Sequence, residues 1–196
     1  MHFGQTALAH EYIPTLAAQS RTGVSSAPHR ERKGNVMKEL GKLFEHTLMD
    51  IYYAENQILK ALPKLAQKAK SPDLKKAFES HLTQTEGHVK RLDQIFQPLA
   101  KPPKAVKCEA IAGILKEGEE VVEEFGDSTA LDAGMIAAAQ TVEHYEIARY
   151  GALRTWAEEL GMKDAAKLLE QTLLEERSTD QLLTKLAEAK VDLKAA

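Results

Sequence analysis

The chain has 196 residues, 28% of them charged and 43% hydrophobic, with a net charge of -3. That length supports one domain with a sizeable core and is short for two, and the mixing of acid and base along it argues against a nucleic-acid binder, which would present a basic face. The single cysteine, Cys108, excludes an intramolecular disulfide and thiolate-rich metal sites and favours a reducing compartment.

Residues 1–35 show no sustained period and carry Gly4, Pro14, Gly23, Pro28 and Gly34 around a polar run. They are expected to form a mobile arm or non-native extension, with room for a short helix near residues 5–18. Glu11, Tyr12 and Pro14 interrupt any apolar leader, so no signal peptide is expected. No apolar run anywhere approaches the roughly 20 residues that cross a bilayer. A cytoplasmic protein with no membrane partner is the expectation.

From Val36 to Leu193 the pattern is helical. Leu40, Phe44, Leu48, Ile51, Glu55, Ile58 and Leu62 mark one face of a first long helix, in which Pro63 should introduce a kink. Ser71-Pro72-Asp73 reads as a cap with proline in the first turn of a second helix, striped by Leu74, Phe78, His81, Thr85, Val89, Leu92 and Phe96. A shorter helix follows from about Cys108 to Phe125. Asp127, Ser128 and Thr129 offer caps for a long helix to about Leu160, which Gly161 stops. A last helix covers about Lys163 to Ala189. The order long, long, short, long, long predicts an all-α, ferritin-like four-helix bundle with a short additional crossover helix. An up-down five-helix array is the alternative.

The informative residues are polar ones on apolar stripes. Glu55, Glu143, Glu146 and Glu176 interrupt three helices, and His81, Thr85 and His88 interrupt another. Each group lies near the middle of its helix, counted from the turns at Ser71 and Gly161, so the four helices bring them to one level. An unpaired buried carboxylate costs many kcal/mol, roughly several per ion even after relaxation, and metal cations are the natural compensation. Carboxylate oxygens with imidazole suit iron or manganese better than structural zinc. The candidate metal ligands are Glu55, His88, Glu143, Glu146 and Glu176; Glu175 and Glu176 cannot both point fully inward, and Glu176 is slightly preferred. His81 is read as a hydrogen-bond donor to them, and Asp180, a turn after Glu176, as a further ligand or support. Tyr52 and Tyr145 are read as core residues sooner than as redox groups, and His144 as part of a small-residue packing or dimer seam.

The runs Asp50-Ile51-Tyr52-Tyr53-Ala54-Glu55 and His81-Leu82-Thr83-Gln84-Thr85 resemble the YciF-like branch of the ferritin-like superfamily. So do Ala137 to Ala148, containing Gln140-Thr141-Val142-Glu143-His144-Tyr145-Glu146, and Ala165-Ala166-Lys167-Leu168-Leu169. The resemblance implies a bacterial, cytoplasmic stress-response protein, rubrerythrin-like in fold, dimeric, with a di-iron site; oxidase or peroxidase activity is the leading expectation. One departure is Thr85-Glu86-Gly87-His88, where the di-metal pattern has Glu-x-x-His. It suggests one alternative, a structural or partner-binding bundle with a degenerate metal site; an iron-storage or ferroxidase protein, as in other ferritin-like proteins, is the other.

Overall fold

The computed structural model describes residues 29–99 and 102–191. Among them are five α-helices and no strand: α1 (His29–Lys68), α2 (Pro72–Phe96), α3 (Glu109–Phe125), α4 (Leu131–Glu159) and α5 (Lys163–Val191), with a 3-10 turn at Gln97–Leu99. The arm expected at its N-terminal part, residues 1–28, and the last residues of the expected domain lie outside the described residues. α1 begins at His29, ahead of the Val36 start that periodicity suggests, and continues as helix through Pro63.

Local chemistry sets the breaks. Ser71 takes an extended conformation and its hydroxyl accepts from the Leu74 amide at 3.5 Å, with Pro72 filling the first helical position. α4 ends in a left-handed glycine, Gly161 at φ 75°. The Gly161 amide donates to the Glu158 carbonyl at 3.0 Å and the Met162 amide to the Ala157 carbonyl at 2.8 Å, satisfying the carbonyls a helix end leaves open. The start of α4 corrects the sequence reading. Ala130 occupies the cap position without a side-chain bond, and the Ser128 hydroxyl instead accepts from the Ala130 amide at 3.1 Å within the turn.

α1 packs beside α2 and α4, and α5 beside α4 and α2, so the four long helices close a ring around one core. α3 lies outside, against α4 and α1. Its approach to α4 depends on Gly134, where a Cβ would fall 2.6 Å from a Val121 methyl carbon. Asp132, in the first turn of α4, accepts from the backbone amides of Lys70 at 2.9 Å and Ser71 at 2.8 Å. The turn between α1 and α2 therefore sits at the end where α4 begins, and α2 and α4 run the same way. α3 carries the chain back between them. This is the one-crossover connection, not the up-down array.

The core runs through Phe44, Leu48, Ile51, Ile58, Leu74, Phe78, Met135, Ile136, Leu153, Leu169 and Leu183. Asp132 ties the two hairpins together by a charge-assisted pair of bonds, each of a type that contributes about 1.5–3 kcal/mol. Asp132→Ala should therefore lower unfolding free energy by roughly 2 kcal/mol, and Asp132→Asn, which keeps one acceptor, by less. Urea unfolding with unchanged m-value checks this; equal losses in the two variants would show that the acceptor is not what matters.

Candidate metal centre

At mid-height the apolar core gives way to a polar layer. α1 contributes Glu55, α2 His81, Thr85 and His88, α4 Glu143 and Glu146, and α5 Glu176; all are buried, none more than 4% exposed. The five candidates Glu55, His88, Glu143, Glu146 and Glu176 thus come together in one layer. His81 joins them, closer to the carboxylates than a mere supporting role requires.

The ligand-type atoms form two groups, each with all its atoms within 4.8 Å of one another: His81, Glu143, Glu146 and Glu176 in one, Glu55, His88 and Glu176 in the other. Glu176 belongs to both. His81 Nε2 lies 3.2 Å from Glu143 Oε1 and 4.0 Å from Glu176 Oε2. His88 Nδ1 lies 3.3 Å from Glu55 Oε1 and 3.0 Å from Glu176 Oε1. Near as they are, these atoms are not aligned on one another. His81 Nε2, His88 Nδ1, Glu55 Oε2, Glu143 Oε2 and both oxygens of Glu146 and Glu176 have no hydrogen-bond partner. Buried polar atoms are normally paired, so this concentration of unpaired donors and acceptors is what a cation-binding site looks like from the protein side.

The outward nitrogen of each imidazole is held. His88 Nε2 lies 3.1 Å from Glu175 Oε2, and Arg91 donates to the same oxygen and to Thr172 Oγ1. His81 Nδ1 lies 3.4 Å from Gln84 Oε1 and 3.4 Å from Thr179 Oγ1. With Nε2–H of His88 on Glu175 and Nδ1–H of His81 on Gln84, it is His88 Nδ1 and His81 Nε2 that face the cluster, the usual way a ligating histidine is oriented; His88 Nδ1 offers a lone pair once its proton is released. Tyr150 completes the frame by donating to Glu55 Oε1.

The environment separates the protonation behaviour of the groups. Burial pushes Glu143 up to about 10, reinforced by Glu176. It pushes Glu146 well above the ordinary carboxylate range, with Glu176, Glu55 and Glu143 adding to the effect. For His88 burial works against the charge, but the carboxylates of Glu55 and Glu176 outweigh it and lift the imidazole to about 10. His81 is lowered, because burial there outweighs Glu176 and Glu55. Tyr150 is raised by burial and by Glu55, so it stays a donor.

Other residues singled out from the sequence fall elsewhere. Asp180 is outside the cluster, bonded by Gln140 Nε2 at 3.1 Å and facing His144 Nε2 at 3.2 Å. Glu175, adjacent to Glu176, is 27% exposed and turns to Arg91. Tyr52 packs edge-on to Phe96, with ring centroids 5.5 Å apart, and Tyr145 lies 3.2 Å from Cys108 Sγ. Tyr150 is the tyrosine that touches the site. Its spacing of one turn from Glu146 and two from Glu143 on the same stripe was the available signal.

An all-helical bundle with one crossover helix and a buried carboxylate–imidazole layer is a ferritin-like bundle. More narrowly, the chain belongs to the family described as Domain of unknown function (DUF892), which matches residues 39–196. It is 46% identical over 160 residues to Protein YciF of Escherichia coli (strain K12), covering 81% of this chain and 96% of that protein. The crystal structure of the E. coli stress protein YciF superposes with a TM-score of 0.73 over 79% of this chain and 98% of that one. YcfI from Rhodopseudomonas palustris, for which a structural role has been put forward, is 48% identical with a TM-score of 0.72, over 74% of this chain and 92% of that one. The YciF-like resemblance is thus established. No helix among the described residues is long and apolar enough to cross a membrane.

In the metal-free protein Glu143 and His88 hold their protons to about pH 10, against 4.5 and 6.5 for the free groups. A folded-state pKa raised above the unfolded one adds stability that is complete below the unfolded value and is lost as pH rises to the folded value. His81, lowered from 6.5, acts oppositely: its contribution is present above the unfolded value and is lost as pH falls. Metal-free protein should therefore lose stability from about pH 7 towards pH 10, and Glu143→Gln, which cannot ionise, should flatten that slope. Urea unfolding across this range checks it; identical slopes would remove Glu143 as a source.

Proposed function

We propose that this chain is a bacterial, cytoplasmic stress-response protein that holds two metal ions in its central layer, as a di-iron carboxylate centre with oxidase or peroxidase activity. Manganese is the other metal the donor set suits. The observation that carries the reading is the convergence of buried, partnerless carboxylate oxygens and imidazole nitrogens on two adjoining places. When bound, the metals would supply redox chemistry that no side chain offers.

His81, Glu143, Glu146 and Glu176 would hold one ion, and Glu55, His88 and Glu176 the other; Glu176 belongs to both donor groups. Glu175 keeps His88 Nε2 protonated and its Nδ1 directed inward, while Tyr150 fixes Glu55. The apolar core above and below the layer limits water. Because Glu143, Glu146 and His88 retain protons without metal, binding releases protons and strengthens with pH.

The two places are unequal. Thr85 stands where the di-metal pattern has a carboxylate, and its hydroxyl donates to the His81 carbonyl at 2.9 Å within its own helix. The Glu55–His88 place is left with three donors against four. That same observation favours the second reading, a structural or partner-binding bundle with a degenerate site. Pairing of two copies belongs to the leading reading, and a mass in solution equal to a dimer would also exclude a closed iron-storage cage.

Anaerobic titration with ferrous iron, followed by calorimetry, should show about two equivalents of unequal affinity, as expected of an asymmetric carboxylate–histidine pair. Glu143→Ala should remove the tighter and Glu55→Ala the weaker, while Glu176→Ala removes both. Glu175→Gln should weaken the second equivalent by about 10–100-fold, the usual cost of losing the partner that orients a ligating histidine. Added iron should also raise the melting temperature, because a ligand bound only by the folded state stabilises it. Unchanged binding in Glu176→Ala, or no binding and no thermal shift in the natural protein, would leave the degenerate scaffold as the reading.

A further inference from the structure

Two cavities meet where α3 crosses the bundle. The inner one, of about 30 Å³, is bounded by residues from all five helices, among them Ile58, Phe78, Leu115, Ala139 and Leu183, and it reaches His81 and Glu143. The outer one, of about 620 Å³, runs beneath α3 along α1 and α4. Its mouth is flanked by the exposed Lys64 and Glu119, whose charged groups face each other at 3.8 Å. Ala61, Leu65, Leu115, Ala139 and Val142 line both cavities, so the inner hole and the outer groove share one wall.

The chemistry of that wall restricts what can pass. Apart from His81, Glu143 and Thr179, the inner cavity is surrounded by hydrocarbon, and apolar-lined holes take up apolar gases such as xenon. Two of the shared residues, Ala61 and Ala139, are alanines at positions where a larger apolar side chain would fill the junction. A hydrated cation faces a desolvation cost along such a wall; a small neutral molecule does not.

We infer that the groove beneath α3 and the cavity behind it form an access route by which a small, uncharged, apolar molecule of dioxygen size reaches the His81–Glu143 side of the cluster. The destination rests on the metal-centre reading; the route itself does not. Leu115, on the crossover helix, and the two alanines, on α1 and α4, set its width. α3 is thereby more than a connector, since it forms the roof of the path.

The test uses metal-free, full-length protein with methyl groups isotopically labelled, and dissolved dioxygen as a paramagnetic probe under raised pressure. Relaxation of the Leu183 methyls should be enhanced several-fold over that of Leu74 and Leu153, which are as deeply buried but line neither cavity. Ala139→Leu should reduce the enhancement at Leu183 to the level of Leu74, and Leu115→Ala should increase it. Ala61→Leu, filling from the opposite wall, serves the same purpose if Ala139→Leu does not fold. Equal enhancement at Leu183 and Leu74, or enhancement that survives filling, would overturn the route. Ferrous titration of the filled variant separates the two readings. Two equivalents retained with dioxygen access lost supports the route, whereas two equivalents retained with access unchanged sinks it alone. Dioxygen access without any metal binding in the natural protein sinks only the metal reading.

Discussion

Four glutamates and two histidines share one layer of a helical core from which water is largely removed, and the rest of the molecule has to make that tolerable. Packed hydrocarbon above and below lowers the local dielectric and strengthens every interaction within the layer, repulsion between carboxylates included. Without metal the conflict is met by protons: Glu143 and Glu146 are driven towards their neutral forms, and His88 towards its charged one. Replacing such a layer by well-packed apolar side chains is often neutral or stabilising. Its retention at the centre of the fold is hard to attribute to stability.

The scaffold supplies the geometry. Because α3 returns the chain to the end where α2 began, α2 and α4 run the same way while α1 and α5 oppose them. Residues near the middle of every long helix then meet at one height, whatever the direction of the chain. α4 is the most enclosed long helix, in contact with α1, α3 and α5, and it provides Glu143, Glu146 and Tyr150 from one stripe. Outside the layer, Arg91 binds Thr172 on α5 and Glu175, and Glu175 in turn meets His88. One imidazole is therefore connected to a partly exposed carboxylate while its other nitrogen faces the interior.

Much of this was legible in the sequence, for a definite reason. Glu55, Glu143, Glu146, Glu176 and His88 break apolar stripes at similar distances from the turns at Ser71 and Gly161, and helix periodicity converts such spacing into similar height. Periodicity does not fix the last rotation of a side chain. His81 therefore looked like an outer donor, although its Nε2 faces Glu143. Asp180 looked eligible one turn from Glu176, yet it is held at the surface by Gln140 and His144. The start of α4 was misplaced because Asp127, Ser128 and Thr129 all have capping chemistry, and the observed turn uses Ser128 internally and begins the helix at Leu131. Cavities were not legible at all. They arise from the mismatch of side chains on five helices, which periodicity does not encode.

The inequality between the two halves of the cluster connects these points. Thr85 removes a carboxylate from a layer that already holds more negative groups than a metal-free core accommodates easily, which eases the folding of the empty protein. The Glu55–His88 group has three possible donors, whereas the His81 side has four, and it is this side that the largely apolar inner cavity adjoins. The larger donor group and the apolar approach therefore fall on the same half of the cluster. On the other half, the polar connection through His88 and Glu175 leads towards solvent. The layer separates an apolar approach from a hydrogen-bonded one, and it does so with residues on opposite sides of a single shared carboxylate, Glu176.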